Sequence, residues 1–380
     1  MKILSTEIPL LAQEKGITSV KLYMTYDIMK LNDREILNIM MASRKLGLTT
    51  MIHAENHDMI DLIIETLEME GKTDPYYHAV SRPMIVESEA TYRAISLSEL
   101  TDAPILLVHV SSPIAVQHIR SAQTRLLPIY AETCPQYLHL LSDALKPTEH
   151  DHFHGAMAVC SPPLRETPGD QDALWQGIAN GTFTTFSSDH AASKYFVEGG
   201  KRLGLLDGKP RFRKIPNGLP GLETRLPLLM KGVLENRISI HDFVRVACSN
   251  SAKLYGLPQK GAILPGWDAD LCIWYPHTTT ATATGEQPTT MMEPFTLSNS
   301  HLHHDIDYTP YDGMTFENWP RYTILRGQVV WNRDLEILMG REGSAGGLLG
   351  KKGYGEYIKR GSSGLPGSRG FWVNEWRPPL

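Results

Sequence analysis

Four side chains in this sequence combine metal-binding chemistry with matching positions in an alternating pattern. They are Lys21 in SVKLYMTYD, His53 in TTMIHAEN, His109 in PILLVHVSS and Asp189 in TFTTFSSDH. Imidazole nitrogen and carboxylate oxygen suit ions such as zinc or manganese. Lysine is the unusual member of the set. Val20, Leu22 and Met24 alternate with Lys21, Tyr23 and Thr25; this is the period-two pattern of a strand, so Lys21 points where Tyr23 and Thr25 point. In a parallel α/β barrel that direction can be the buried interior, where an ammonium loses its solvation and its pKa falls. A neutral amine combines with carbon dioxide to give a carbamate, an anionic oxygen ligand able to bridge two cations. The plainer readings are a lysine that snorkels from a strand end to water and strand-end histidines that serve as hydrogen-bonded core residues.

For the four to meet, each must end a strand of one parallel sheet, and the surrounding pattern supplies such strands. Asn32 or Asp33 can cap a helix whose apolar positions Ile36, Leu37, Met40, Met41 and Leu46 recur at helical spacing until Gly47 stops it. Thr49 to Asn56 reads as the next strand, and a helix through Leu62, Ile63 and Leu67 closes at Gly71. The alternation continues with a helix over Glu87 to Leu100, a strand over Pro104 to Ser112, a helix over Pro113 to Ala122 and a strand over Leu126 to Cys134. A helix around Asp172 to Ala179 then leads to a strand over Thr182 to His190. Strands alternating with helices predict a parallel sheet, and His53, His109 and Asp189 fall at carboxyl ends of strands, where barrel enzymes keep their chemistry.

Residues 191–220, rich in Gly, Pro, Lys and Arg, read as a long loop over the barrel mouth, followed by helices over Gly221 to Asn236 and Ser239 to Gly256. Beyond Pro258 short strands with turn residues predict a small β domain over residues 259–342, with a low-complexity, flexible insertion at 278–290. Residues 343–380 form a glycine-rich tail that would order against another surface. The domain division is thus 1–258, 259–342 and 343–380. At 380 residues, with 42% hydrophobic residues and a net charge of -5, the chain has room for a core and no electrostatic attraction to nucleic acid or anionic membrane. Four separated cysteines suggest neither a thiolate metal site nor a disulfide framework, and a reducing, cytoplasmic setting fits. The N-terminal residues are too polar for a secretory segment, and no apolar run is long enough to span a membrane.

The motifs SVKLYMTY, IHAEN, LVHVSS, AETCPQYL, CSPPLR, SSDH, PNGLPGLETRLPLL and HHDIDYTPYDGM together resemble those of the cyclic amidohydrolases, specifically dihydropyrimidinases and D-hydantoinases, in order from Gly16 to Gly361. The resemblance implies a TIM-type (β/α)8 barrel with a small β-sandwich domain, and metal-dependent opening of a dihydropyrimidine or hydantoin ring. It implies that Lys21, carbamylated by carbon dioxide, bridges two divalent metal ions, most simply zinc. His53 and His109 would complete one metal and Asp189 would reach the other. Asp189 matches the general base and Tyr26 the donor to the developing oxyanion. Ser161 and Asn217 match positions whose main chain reads the edges of the ring. A homotetramer is the usual assembly.

Three departures accompany the match. After Asp189 the chain reads HAAS, near where the substrate's side group would lie, which puts substrate preference in question. The insertion at 278–290 falls in the small domain. The family also carries a His-x-His pair on its first barrel strand, and nothing ahead of Lys21 supplies it. The strands therefore resemble the fourth to eighth of the barrel, and the expectation is a truncated barrel with one incomplete metal site and impaired activity. Allantoinases and dihydroorotases share the metal ligands, and the collapsin response mediator proteins, non-catalytic scaffolds, share the fold; the retained Lys21, His53, His109 and Asp189 argue against the scaffold.

Overall fold

A computed structural model describes residues 3–276, 292–339 and 346–367. Five parallel strands form one sheet in chain order: β1 (Ser19–Tyr23), β2 (Thr49–His53), β3 (Ile105–Leu107), β4 (Ile129–Thr133) and β5 (Thr185–Phe186). The helices between them end as their residues dictate. Asn32 and Glu35 form a reciprocal capping box ahead of the helix Asp33–Leu46, and Gly47 ends it at φ 66, a left-handed conformation open to glycine. Asn56 caps the helix His57–Met69, and Ser112 caps Pro113–Thr124 with proline in its first turn.

Alternation along the strands sorts side chains to two faces. Leu22, Ile52, Ile105, Leu107, Ile129 and Ala131 join the main core beneath the helices. On the opposite face the pairing aligns Lys21, Met51, Leu106 and Tyr130 as one row across four strands. Leu106 and Val108 on this face pack with Leu254, against Met51, Tyr130, Tyr255 and Leu365. Thus the second face has its own small apolar floor, part of it supplied by the C-terminal segment. That segment runs over the amino ends of the strands: the main-chain N–H of Arg360 donates to Gly16, that of Gly361 to Gly256 and that of Gly364 to Lys253.

Two expectations need correction. Lys21 is exposed, not buried, because β1 is an edge strand, paired on one side only among the described residues. β3 and β5 are shorter than the apolar runs predict, since His109 and Asp189 adopt left-handed backbone, at φ 42 and φ 45, which ends the regular ladder. The loop at 191–220 contains single-turn helices at Lys201–Gly204 and Phe212–Lys214 and a small hairpin of Leu205–Leu206 with Lys209–Pro210. The helix expected from Ser239 runs as Ile240–Val244 and Asn250–Leu254 with a wider π turn between them. In the stretch beyond Pro258, Pro320–Leu325 pairs antiparallel with both Leu271–Trp274 and Gln328–Asn332. The insertion at 278–290 lies outside the described residues.

Candidate active site

At the carboxyl ends of the strands His53, His109 and Tyr26 come into ring contact. His53 ends β2 and stands beside Tyr23 of β1 in register. The rings of His53 and His109 meet edge to face with centroids 4.4 Å apart, and the Tyr26 ring packs on His53 at 5.2 Å. Burial holds both imidazoles well below the usual histidine range, and the Lys21 ammonium acts on each in the same direction. Asp189 acts oppositely on His109, favouring its protonated form. All four candidate metal ligands therefore share one electrostatic neighbourhood. The Lys21 ammonium itself lies 5.2 Å from the centre of the Tyr23 ring.

Histidine binds metal as the neutral ring, and burial supplies that state. His53 lies 2.7 Å through Nε2 from Glu55, which is fully buried. A neutral imidazole beside a carboxylate donates Nε2–H to it and keeps the Nδ1 lone pair free, the arrangement by which carboxylates orient ligating histidines. His109 Nδ1 is buried without a hydrogen-bond partner outside its own residue among the described residues. These two rings fit a divalent cation. No group of three His, Cys, Asp or Glu side chains stands close enough to hold an ion among the described residues.

The Ser161 hydroxyl lies close enough to the Tyr26 phenol to favour its ionised form slightly. Burial first, and then Glu55, hold the phenol far above the usual range, so it stays protonated and able to donate. Ser161 precedes a cis proline, Pro162, and its hydroxyl lies 3.3 Å from His78 Nε2. His78 Nε2 donates to the Cys160 carbonyl at 2.8 Å, which leaves Nδ1 to accept from Arg82 at 3.3 Å. Asn217 lines a cavity of about 260 Å³ with Tyr26 and Arg82, and its Oδ1 is buried without a hydrogen-bond partner among the described residues. Tyr26 thus borders this cavity together with Asn217 and touches His53 through its ring.

Several residues that shape the site were not singled out from sequence. Glu87 and Arg165 form a buried ion pair at 2.6 Å, and Ser111 donates to Glu87 through both its N–H and its hydroxyl. Arg165 also donates to the Arg82 carbonyl at 2.7 Å. The network fixes the turn after His109 to the arm bearing Ser161. Glu132 on β4 is buried near Asp189 and Lys21, and burial pushes its carboxyl up to about 7. His190, next to Asp189, accepts from the N–H groups of Gly221 and Leu222 at 3.2 Å each. Asp307, in the HHDIDYTPYDGM stretch, accepts from the N–H groups of Tyr195 and Phe196. Glu55, Glu132 and Arg165 sat inside the motifs IHAEN, AETCPQYL and CSPPLR, where position was the signal; Glu87 offered none.

Comparison with known proteins agrees with this geometry. The D-hydantoinase of Geobacillus stearothermophilus is 38% identical over 361 residues, spanning 94% of this chain and 69% of that protein. The D-hydantoinase of Bacillus sp. AR9 superposes with a TM-score of 0.82 at 36% identity, covering 95% of this chain and 71% of that one. The dihydropyrimidinase of Brevibacillus agri NCHU1002 gives the same score, identity and coverage. The amidohydrolase family model matches residues 12–330, the stretch that holds the whole parallel sheet and each of the residues described above. With the histidine pair at the carboxyl ends of its parallel strands, the chain belongs to the amidohydrolase family.

Proposed function

We propose that this chain hydrolyses a carbon–nitrogen bond of a small cyclic amide, a dihydropyrimidine or hydantoin. The observation that carries the reading is the meeting of two neutral, buried histidines with Tyr26 and Ser161 at one sheet end. His53, His109, Lys21 as its carbamate and Asp189 would hold divalent cations, zinc being the simplest match to that donor set. When bound, such ions supply an activated water and polarise the scissile carbonyl. Asp189 takes the proton from the attacking water and returns it to the ring nitrogen as the C–N bond breaks, so the ring opens with one water consumed. Tyr26, kept protonated, donates to the oxygen that gains negative charge. The main chain at Ser161 and Asn217 binds the ring's amide and imide edges.

With two imidazoles and no third His, Cys, Asp or Glu side chain close by among the described residues, a second ion would be held by fewer groups than the roughly four that zinc takes. We therefore expect slow turnover by this chain alone. The test is a substrate panel with zinc-loaded protein: dihydrouracil and hydantoin against allantoin and dihydroorotate, following the ureido product. Opening of either of the first pair supports the reading. Opening of only the second pair reassigns the substrate.

A further inference from the structure

The connection between β5 and the helix Arg225–Leu234 holds a lysine that no periodicity marks. Lys201 has 0% of its surface exposed. Its ammonium donates to three main-chain carbonyls, Val159 at 2.9 Å, Pro216 at 2.7 Å and Gly218 at 2.8 Å. An ammonium has three donors and no acceptor, so this set uses its full capacity. Val159 lies two residues before Ser161, and Pro216 and Gly218 flank Asn217. The two segments also meet directly, the Gly218 N–H donating to the Val159 carbonyl at 3.0 Å. Gly218 has no room for a side chain: at φ +114, an added Cβ would stand 2.1 Å from the Ala191 carbonyl oxygen. Lys201 is fixed from its own side by its N–H, which donates to the Lys194 carbonyl at 2.8 Å.

We propose that Lys201 is a positioning residue for ring binding: one buried ammonium sets the separation of the Ser161 and Asn217 segments, so the ring meets both edges already spaced. The proposal rests on the reading of Ser161 and Asn217 as ring-binding positions. Among the described residues one direct main-chain hydrogen bond, from the Gly218 N–H to Val159, joins the two segments, and the ammonium adds three further points of attachment. Without the ammonium, the Pro216 and Gly218 carbonyls lose this donor, Val159 keeps only the Gly218 N–H, and the gap widens.

Zinc-loaded Lys201→Met, which keeps length and removes the donors, tests this with dihydrouracil as the probe. Affinity for dihydrouracil falls about 10- to 100-fold, while metal content and circular dichroism match the parent. Amide exchange in residues 158–163 and 214–221 accelerates together, and Lys201→Gln, with two N–H donors, recovers part of both effects. Parent-like affinity in Lys201→Met, or weakened binding with both segments as protected as before, overturns the proposal. If the parent binds no dihydrouracil, the functional reading fails and exchange alone decides the clamp: loosening of only one segment refutes it. If neither variant folds, the parent decides: dihydrouracil must slow exchange in both segments and amine labelling of Lys201 together, and protection of one segment alone refutes the clamp.

Discussion

Glu87→Gln is the substitution whose cost follows most directly from the geometry. Glu87 is 2% exposed and Arg165 6%. One carboxylate oxygen accepts from the N–H groups of Ser111 and Ser112 at 2.9 and 3.3 Å; the other accepts from the Ser111 hydroxyl at 2.7 Å and Arg165 at 2.6 Å. Glutamine keeps the first oxygen and turns an NH2 group toward a guanidinium that cannot accept. Arg165 then remains buried without its counter-charge, a change that typically costs about 3–5 kcal/mol. At roughly 2.1 cal/mol/K of unfolding entropy per residue, a chain this long has about 0.8 kcal/mol/K if it melts as one unit, so the midpoint should fall by about 4–6 °C. Differential scanning calorimetry reads this. Replacing both partners, Glu87→Leu with Arg165→Met, removes the stranded charge and should cost less than the two single changes together. A single-variant cost below about 1 kcal/mol, or a double variant equal to the sum of the singles, would refute the account of this pair as the lock between the His109 turn and the Ser161 arm.

Lys21→Ala should lose bound zinc, measured by plasma emission after dialysis, whereas Ser161→Ala should keep its zinc and bind dihydrouracil more weakly. Full zinc content in Lys21→Ala would remove lysine from the ligand set. Hydrogen bonds to Glu223 first, and then to Glu336, raise His303 to about 9, so its folded-state pKa lies above the unfolded value near 6.5. Its contribution is therefore complete below about pH 6.5 and is lost as pH rises through about 9. The urea midpoint of the parent should exceed that of His303→Gln at pH 6, and the gap should close by pH 10; an equal gap at both pH values contradicts the ion-pair account.

The sheet was legible because its signals are local. Alternation in SVKLYMTY, the Asn32 cap, the Gly47 stop and the apolar runs ending in His53 and His109 each act over a few residues, and the structure uses each of them. Burial of Lys21 was not legible, because exposure depends on what pairs with β1, and that is a property of the sheet as a whole. Glu87 read as one more charge on a helix, since its partner Arg165 is far away in the chain. Lys201 sat in a stretch without periodicity, and three carbonyl acceptors leave no mark in a sequence. Charged groups buried against main chain or distant partners are the class that pattern reading misses.

Alternation also fails at the site itself, and backbone strain is the physical reason. Val108 lies on the face with Leu106 and Leu254, so a regular strand would send His109 to the helix-packed side with Leu107. Instead His109 turns left-handed at φ 42, and its ring reaches His53 at 4.4 Å. Tyr26 behaves likewise: Lys21, Tyr23 and Thr25 share one direction by alternation, and Tyr26 comes back beside His53 through φ 72. Asp189 adopts φ 45 at the end of its strand. Left-handed backbone at a residue other than glycine costs on the order of 1–3 kcal/mol at each position, and surrounding structure must over-determine it. Here the restraints are identifiable: the Glu87–Arg165 pair grips Ser111 just after His109, the Tyr26 ring packs on His53, and His190 anchors the chain after Asp189 on Gly221 and Leu222. The strain lets neighbours in sequence, which strand geometry would send to opposite faces, converge on one point, and the buried polar network beneath the site is what holds it there.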